Sequence, residues 1–201
     1  MKRRCGLLGI LMILLAGCLG PINTPDMTTY TLENIVKPQG QRPKTQRILL
    51  VTMPQAAAGF DSRRIAYVER PGVLAYYSKH QWIAPLPQLL LPLMVQSVEN
   101  TGVFLAVVGS PYTGLSDYQL DSQLQYLVQR FDKQQHRSTI DAALSVRLLS
   151  RQGSRVVASK TLLVSLPVKG KDNYAAFTVT RQVVNQLLVK LNRFVIDTVG
   201  R

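Results

Sequence analysis

The sequence predicts an α+β fold: a single domain with a mixed, largely antiparallel sheet and two helices packed on one of its faces. Two patterns carry this prediction. Segments 117–131, 139–150 and 155–168 alternate apolar and polar residues, which is the period of strands with one wet face. Segment 85–100 and the segment that starts at residue 173 repeat apolar residues at intervals of three and four, which is typical of amphipathic helices.

The chain before the first helix predicts strands separated by turns. Residues 29–32, "TYTL", form a short edge strand, and a loop follows over 37–43. The stretch "RILLVTMP" predicts a buried strand that ends at Pro54. "RIAYVER" and "GVLAYYSKHQW" flank the turn-forming residues 70–72, so they predict a hairpin.

The first predicted helix spans residues 85–100. Pro92 lies deep enough inside it to kink or locally disrupt it, and Asn100 and Gly102 end it. "VFLAVVG" then predicts a strand, and 111–116 predicts a loop. The apolar face of the helix consists of Leu86, Leu89, Leu90, Leu93, Met94 and Val98.

Three long strands are predicted next, with a turn over 150–154 between the last two. In the first strand the even positions face the core (Tyr118, Leu120, Leu124, Tyr126, Val128) and the odd positions face water (Gln119, Asp121, Gln123, Gln125, Gln129). In the second strand the inward residues are Ile140, Ala142, Leu144, Val146 and Leu148. Asn173 is the expected N-cap of the last helix, whose stripe is Phe177, Val184, Leu187, Leu188, Leu191 and Val195.

The N-terminus predicts an export signal. A basic start, 1–4, precedes an apolar run from Cys5 to Leu15, which is shorter than the ~20 residues that cross a bilayer. The following "LAGC" resembles the bacterial lipobox, with cleavage between Gly17 and Cys18 and diacylglyceryl transfer to the Cys18 thiol. The alternative is an uncleaved anchor. The predicted division is signal peptide 1–17, lipidated tether 18–29 and domain 30–201, and Leu19 favours the outer membrane by resemblance to enterobacterial sorting rules.

Composition narrows the class of partner. The chain has two cysteines, so removal of Cys5 and acylation of Cys18 leave no disulfide. Its net charge is +13, and loss of the three bases of the signal leaves 21 bases against 11 acids, a net charge of +10. Export excludes nucleic acid, which leaves anionic lipid headgroups or an acidic partner protein. Alternatively, the dispersed charges only keep the domain soluble.

The sequence predicts no catalytic, cofactor or metal site. His80 and His136 are far apart and have no neighbours at ligand spacing. Nucleophile-elbow, Walker and dinucleotide motifs are absent from the sequence, and Asp117 and Asp121 are expected on a wet strand face. We therefore expect a protein that is not an enzyme. The polar outer face, which continues through Asp141, Ala143, Ser145 and Arg147, also argues against a cavity for acyl chains.

The hairpin is the predicted partner-docking site, through Arg70, Tyr76, Tyr77 and Trp82. Adjacent tyrosines in a strand point to opposite faces, so one of Tyr76 and Tyr77 is expected to be exposed. Trp82, the only tryptophan, is either a core residue or an interface anchor.

Several of these residues together resemble the ABC-type transport auxiliary lipoproteins, the PqiC-like family. The matching residues are Cys18, Tyr30-Thr31-Leu32, Arg70, Tyr76-Tyr77, Trp82, Pro85-Leu86 and the strand from Tyr118 to Phe131. One departure is Phe60-Asp61-Ser62-Arg63, where the family often has P-x-x-L-D-R.

The resemblance implies an outer-membrane lipoprotein that faces the periplasm and serves as the auxiliary part of a lipid-transport system. Its implied partners are an MCE-domain protein and the ABC permease and ATPase, and a second copy of the chain is a further candidate. The leading hypothesis is a non-catalytic docking subunit. The alternatives are a periplasmic protein that accepts lipid from the conduit, and an envelope-assembly lipoprotein without a transport role.

Overall fold

The structure is a computed structural model, and it describes residues 26–33, 45–132, 134, 136–151, 155–170 and 173–199. The predicted signal peptide, Cys18, the 37–43 loop and most of the 150–154 turn lie outside these residues. Within them the chain forms nine strands and two helices, which confirms the predicted α+β class. The elements are β1 Thr28–Tyr30, β2 Ile48–Val51, β3 Gln55–Ala56, β4 Arg64–Arg70, β5 Val73–Trp82, α1 Leu86–Glu99, β6 Ala106–Gly109, β7 Tyr118–Asp132, β8 Arg137–Ser150, β9 Arg155–Pro167 and α2 Asn173–Val199.

All nine strands belong to one mixed sheet, and β7 is its central strand. On one side β7 pairs in parallel with β2, β3 and β4 in succession, and on the other side it pairs with β8 in antiparallel orientation. The sheet extends from β4 through β5 to β1, from β2 to β6, and from β8 to β9. The longest ladders, β7–β8 and β8–β9, are antiparallel as predicted, and the parallel ladders are two to four residues long.

A single core lies between the sheet and the two helices. Every predicted inward residue of β8, from Ile140 to Leu148, belongs to it, as do Val184, Leu187, Leu188, Leu191 and Val195 of α2. The helices also contact each other, and Ser97 of α1 and Asn192 of α2 share hydrogen bonds at 2.9 and 3.2 Å. Ser97 is buried and Asn192 is partly buried at this contact, so the pair helps to fix how the two helices align.

The predicted facing of β7 is correct up to Leu124 and wrong beyond it. The β7–β8 register shifts between Leu124 and Tyr126, which marks a β-bulge at Gln125. An extra residue in one strand exchanges the two faces of everything after it. Leu127 and Gln129 therefore face the helices, opposite Ala142 and Ile140, whereas Tyr126 and Val128 pair with the outward residues Ala143 and Asp141.

Two other predictions concern element ends and interruptions. α1 runs unbroken through Pro92, so the predicted local disruption is absent; Pro92 is exposed, where water can replace the lost hydrogen bond. Gly102, with φ of +63°, follows the C-cap Asn100 as predicted. α2 begins at Asn173, whose side chain is not among those described.

Candidate functional site

Seven aromatic rings cluster around the β4–β5 hairpin on the helix side of the sheet. Tyr77 packs 4.8 Å from Tyr67 and 5.9 Å from His80, measured between ring centroids. Tyr30 of β1 packs 4.5 Å from Phe177 of α2, so the cluster bridges the sheet edge and the second helix. The members are Tyr30, Tyr67, Tyr77, His80, Trp82, Phe131 and Phe177.

Tyr77 is the inward member of the predicted tyrosine pair. Its hydroxyl donates to Oε1 of Gln129 at 2.8 Å, and Gln129 Nε2 donates to Ser138 Oγ at 3.0 Å. Burial raises the pKa of Tyr77 to about 12, with smaller contributions from Tyr67 and Glu69. The phenol therefore stays protonated at neutral pH, and the arrangement serves packing rather than proton transfer.

Tyr76 points to the opposite face of the sheet, as predicted for adjacent strand residues. Its hydroxyl donates to the carbonyl of Gly59 at 3.0 Å, and the Arg64 guanidinium lies 4.6 Å from its ring centroid. Gly59 has φ of +91°, and a Cβ there would lie 2.8 Å from Leu74 Cδ2. The positive φ favours glycine at this position, and the absent side chain lets the β3–β4 loop lie close to Leu74 and Tyr76.

An open apolar groove follows Tyr76 on this outer face. Arg130 lies at its rim, with its guanidinium 5.6 Å from the Tyr126 ring centroid and its Nε 2.8 Å from Asp141 Oδ2. We call this surface the hairpin groove; it is lined by Phe60, Val68, Val73, Leu74, Tyr126 and Val128.

Of the four predicted docking residues, three are exposed or partly exposed, and the fourth, Trp82, is buried. Arg70 is exposed beside the turn, and Tyr76 and Tyr77 are each half-buried, on opposite faces. Trp82 is 3% exposed, so its reading as a surface anchor is corrected to that of a core residue. Its backbone N–H donates to the Arg63 carbonyl and its carbonyl accepts from Arg63 Nε, which fixes the end of β5.

The carboxylates of Asp117 and Asp121 make hydrogen bonds that stabilise the fold. Asp117 Oδ2 accepts from the Ile48 backbone N–H at 2.8 Å, so it helps to seat the start of β2. Asp121 Oδ1 accepts from Thr52 Oγ1 at 2.9 Å and from Gln119 Nε2 at 2.8 Å. Both carboxylates therefore hold the β2–β7 pairing in place.

The pocket in the aromatic cluster is small. It lies between the hairpin and α2, has a volume of about 40 Å³, and is lined by residues that include Tyr30, Trp82, Leu127 and Phe177. Ligand pockets typically measure ~300–1,000 Å³. A cavity of 400 Å³ on the outer sheet face has polar walls, including Asp121, Gln123 and Arg147. Neither of these two sites is an apolar cavity that could hold an acyl chain.

Neither a cluster of metal ligands nor a membrane-spanning helix occurs among the described residues. No group of three or more His, Cys, Asp or Glu side chains in that part of the chain could hold a metal ion. Neither α1 nor α2 is long and apolar enough to cross a bilayer, among the residues described.

The model of the family described as ABC-type transport auxiliary lipoprotein component matches residues 30–192. The chain belongs to this family. It is therefore an auxiliary lipoprotein of ABC-type transport, anchored in the cell envelope, and the family is one of transport components rather than of known enzymes.

Solved structures agree with this fold. Protein XCC0632 from Xanthomonas campestris is 29% identical, with a TM-score of 0.74 over 85% of this auxiliary lipoprotein and 96% of that chain. An uncharacterised protein is 14% identical, with a TM-score of 0.67 over 85% and 99% of the two chains. The hypothetical protein CT253 from Chlamydia trachomatis is 9% identical, with a TM-score of 0.52 over 77% and 98%. A search of curated proteins finds no match.

Gln129 and Gly59 are the two residues of this site that the sequence pattern missed. Gln129 was expected in water, yet it is 8% exposed and bonds Tyr77. Three consecutive apolar residues, 126–128, break the alternation just before it and could have signalled the bulge. Gly59 follows three alanines, and nothing in that stretch indicates which side chains it meets across the sheet.

Proposed function

We propose that this auxiliary lipoprotein is a docking subunit of an MCE-type ABC system that moves lipid between membranes. Acyl chains on Cys18 hold it to the periplasmic face of the outer membrane, and the folded domain binds the MCE-domain protein, which joins the ABC permease and ATPase. The observation that carries this proposal is membership of the ABC transport auxiliary lipoprotein family. The lipobox at 15–18, followed by Leu19, supports the outer-membrane anchor.

The size of the pockets supports docking over lipid carriage. The apolar pocket in the aromatic cluster has a volume of about 40 Å³, well below the ~300–1,000 Å³ of ligand sites. The apolar hairpin groove reaches about 330 Å³, but it is a more open surface that suits a protein partner. The larger cavity beside Asp121 and Arg147 has polar walls. A protein of this shape binds its partner through its surface.

The hairpin groove is the surface that we assign to docking. Tyr76 lies on the same outer face and is half-buried, Arg70 is exposed beside the β4–β5 turn, and the Arg64 guanidinium lies 4.6 Å from the Tyr76 ring centroid. Tyrosine and arginine beside apolar side chains are residue types enriched at protein interfaces. Tyr77 and Trp82 support this surface from the other face of the sheet and from the core.

Co-purification tests the docking proposal. The tagged full-length lipoprotein is extracted from membranes, and the MCE protein and permease are quantified in the eluate. Arg70→Glu is expected to lower recovery of the MCE protein about tenfold, the loss of ~1.4 kcal/mol expected of a moderate hot spot. Arg155→Glu, an equally exposed base at the start of β9, is the matched control and should retain full recovery. Equal recovery with both variants would exclude the hairpin.

Two measurements separate the alternatives. Cys18→Ser should release the protein from outer-membrane fractions, because the acyl chains hold it there. Lipids extracted from the gently purified protein should contain no stoichiometric phospholipid; one tightly held lipid per chain would favour the carrier. Recovery of envelope-assembly proteins in place of the MCE protein would favour the third hypothesis.

A further inference from the structure

We propose that the end of the sheet bearing the β4–β5 turn rests on the phospholipid headgroups of the membrane that holds Cys18. The inference rests on the acylation of Cys18 in the proposed function. It adds the orientation of the domain: Val73, at the β4–β5 turn, touches the headgroups, and the rest of the hairpin groove, which we assign to docking, stays open to the MCE protein.

Strand register places two turns at this end. Arg70 pairs with Val73 across the β4–β5 turn, and Val68 pairs with Arg130, which sets that turn level with the end of β7. Asp132 pairs with Arg137 across the β7–β8 turn. We call this the turn end of the sheet. The opposite end, where the loop containing Leu115 precedes β7, is called the loop end.

The N-terminal end of β1 points toward the turn end. β1 is parallel to β5, with Thr28 beside His80, so the chain traced back toward Cys18 runs along β5 toward Val73. Thr28, the first residue of β1, is level with His80, seven residues or ~23 Å from Val73, and Asp26 precedes it by two residues on the side of Val73. The chain from Cys18 to Asp26 spans at most ~28 Å. The bilayer surface is therefore within reach of the turn end.

The loop end lies out of the membrane's reach in this orientation. β7 has 15 residues, which at ~3.3 Å per residue separates the two ends by ~45–50 Å. Leu115, in the loop before β7, is 90% exposed. It faces the periplasm in this orientation.

Exposed apolar side chains are present where the bilayer would meet the domain. Val73, directly after the β4–β5 turn, is 55% exposed. Tyr174, 70% exposed, lies in the first turn of α2, a few residues after Val168, whose N–H donates to the Ser138 carbonyl beside the β7–β8 turn. Tyrosine suits a headgroup region because its ring is apolar and its hydroxyl is polar. Burial of these side chains among headgroups removes apolar surface from water.

Apolar contact and the tether hold this end in the proposed orientation. Among the described residues near the two turns, bases and acids are mixed: Arg70, Arg130, Arg137 and Lys169 with Glu69, Asp132 and Asp141, of which Arg130 and Asp141 form an ion pair. A contact of this kind depends little on salt, unlike the attraction of a basic patch to anionic lipid.

Depth-dependent fluorescence quenching tests the orientation. The full-length acylated protein is reconstituted in phosphatidylethanolamine–phosphatidylglycerol vesicles that contain nitroxide-headgroup lipid. An environment-sensitive dye is attached to Val73→Cys or, as the matched exposed apolar control, to Leu115→Cys. With Cys5 removed and Cys18 acylated, the introduced cysteine is the only free thiol. We expect several-fold stronger quenching at position 73, retained in about 0.5 M NaCl, and thermal melting verifies that both variants are folded.

Each contrary result has a distinct meaning. Equal quenching at both positions, or stronger quenching at 115, overturns the orientation. Loss of quenching in salt overturns the apolar contact. A label at 73 that is unquenched by lipid but shielded by added MCE protein assigns the turn end to a protein partner. If the measured mass of the N-terminal peptide shows no acyl chains, both the tether argument and the lipid anchor are overturned. Docking through the hairpin groove is still tested separately, by co-purification.

Discussion

The Tyr77 hydroxyl and the Gln129 side chain form a hydrogen bond of 2.8 Å that spans from β5 to β7, across β4. Gln129 is 8% exposed, and its amide continues the connection to Ser138 of β8 at 3.0 Å. One buried amide thereby ties the hairpin to the centre of the sheet. Its position depends on the bulge at Gln125, which turns Gln129 from the outer face to the helix face.

Gln129→Ala is expected to destabilise the domain by ~1–3 kcal/mol, because it leaves the Tyr77 hydroxyl without its acceptor in a partly buried site. Gln123→Ala is the matched control in the same strand, where the side chain is exposed, and should change stability by less than ~0.5 kcal/mol. Urea unfolding of both variants measures the difference. Equal losses would mean that the Tyr77–Gln129 contact contributes nothing specific.

Stability should fall as pH rises from 10 to 12. The fold raises the pKa of Tyr77 to about 12 from 10, so it favours the protonated phenol, whose contribution is complete below pH 10 and is lost as pH passes 12. Tyr77→Phe should be less stable at pH 8 by ~1 kcal/mol, through the lost hydrogen bond. Its stability should decline less steeply than that of the unmodified protein. Because Tyr77 is half exposed, the slopes should differ by less than ~1.4 kcal/mol per pH unit.

Gly59→Ala should destabilise the protein more than Gly72→Ala. Both glycines have positive φ, +91° and +78°, so alanine costs ~1–2 kcal/mol at either position. At Gly59 the new methyl also lies 2.8 Å from Leu74 Cδ2, whereas at Gly72 it meets nothing within 4 Å. Chemical denaturation should show at least ~1 kcal/mol between them. A Gly72 variant as unstable as the Gly59 variant would contradict the packing argument.

Tyr76→Ala and Tyr77→Ala should separate docking from stability. Tyr77→Ala should lower the melting temperature more, because it removes the aromatic contact with Tyr67 and the hydrogen bond to Gln129. Tyr76→Ala should retain a higher melting temperature but reduce recovery of the MCE protein. Melting and co-purification are measured on the same preparations. Full partner recovery with a folded Tyr76 variant would place the docking surface elsewhere, with the loop at 111–116 as the next candidate.

The strand pattern predicted β8 correctly because every inward position of that strand meets the same core. Ile140, Ala142, Leu144, Val146 and Leu148 are all at most 3% exposed. In β7 the same reasoning failed at a single point, since one inserted residue reverses all later positions. Alternation reveals faces only while the register is continuous, and the register depends on the partner strand.

The docking residues were predictable as residue types but not as positions in space. Tyr76 and Tyr77 lie on opposite faces, as the geometry of any strand requires. Trp82 could be core or surface, and the choice depends on α2, because Phe177 lies 6.3 Å away between ring centroids. That contact joins residues 95 positions apart, beyond the reach of a local pattern.

β7 also determines when the sheet can form. The parallel ladders of β2, β3 and β4 all require residues that follow them by about 60 to 70 positions, whereas the β4–β5 hairpin needs only its own neighbours. A chain that emerges N-terminus first, from a ribosome or through a membrane pore, therefore presents β3 unpaired, and β2 paired with β6 at most, until β7 is also free. Distant pairings of this kind form slowly and expose apolar strands while they wait. Completion of the sheet is consequently a late event, after the central strand has entered the compartment where the protein folds.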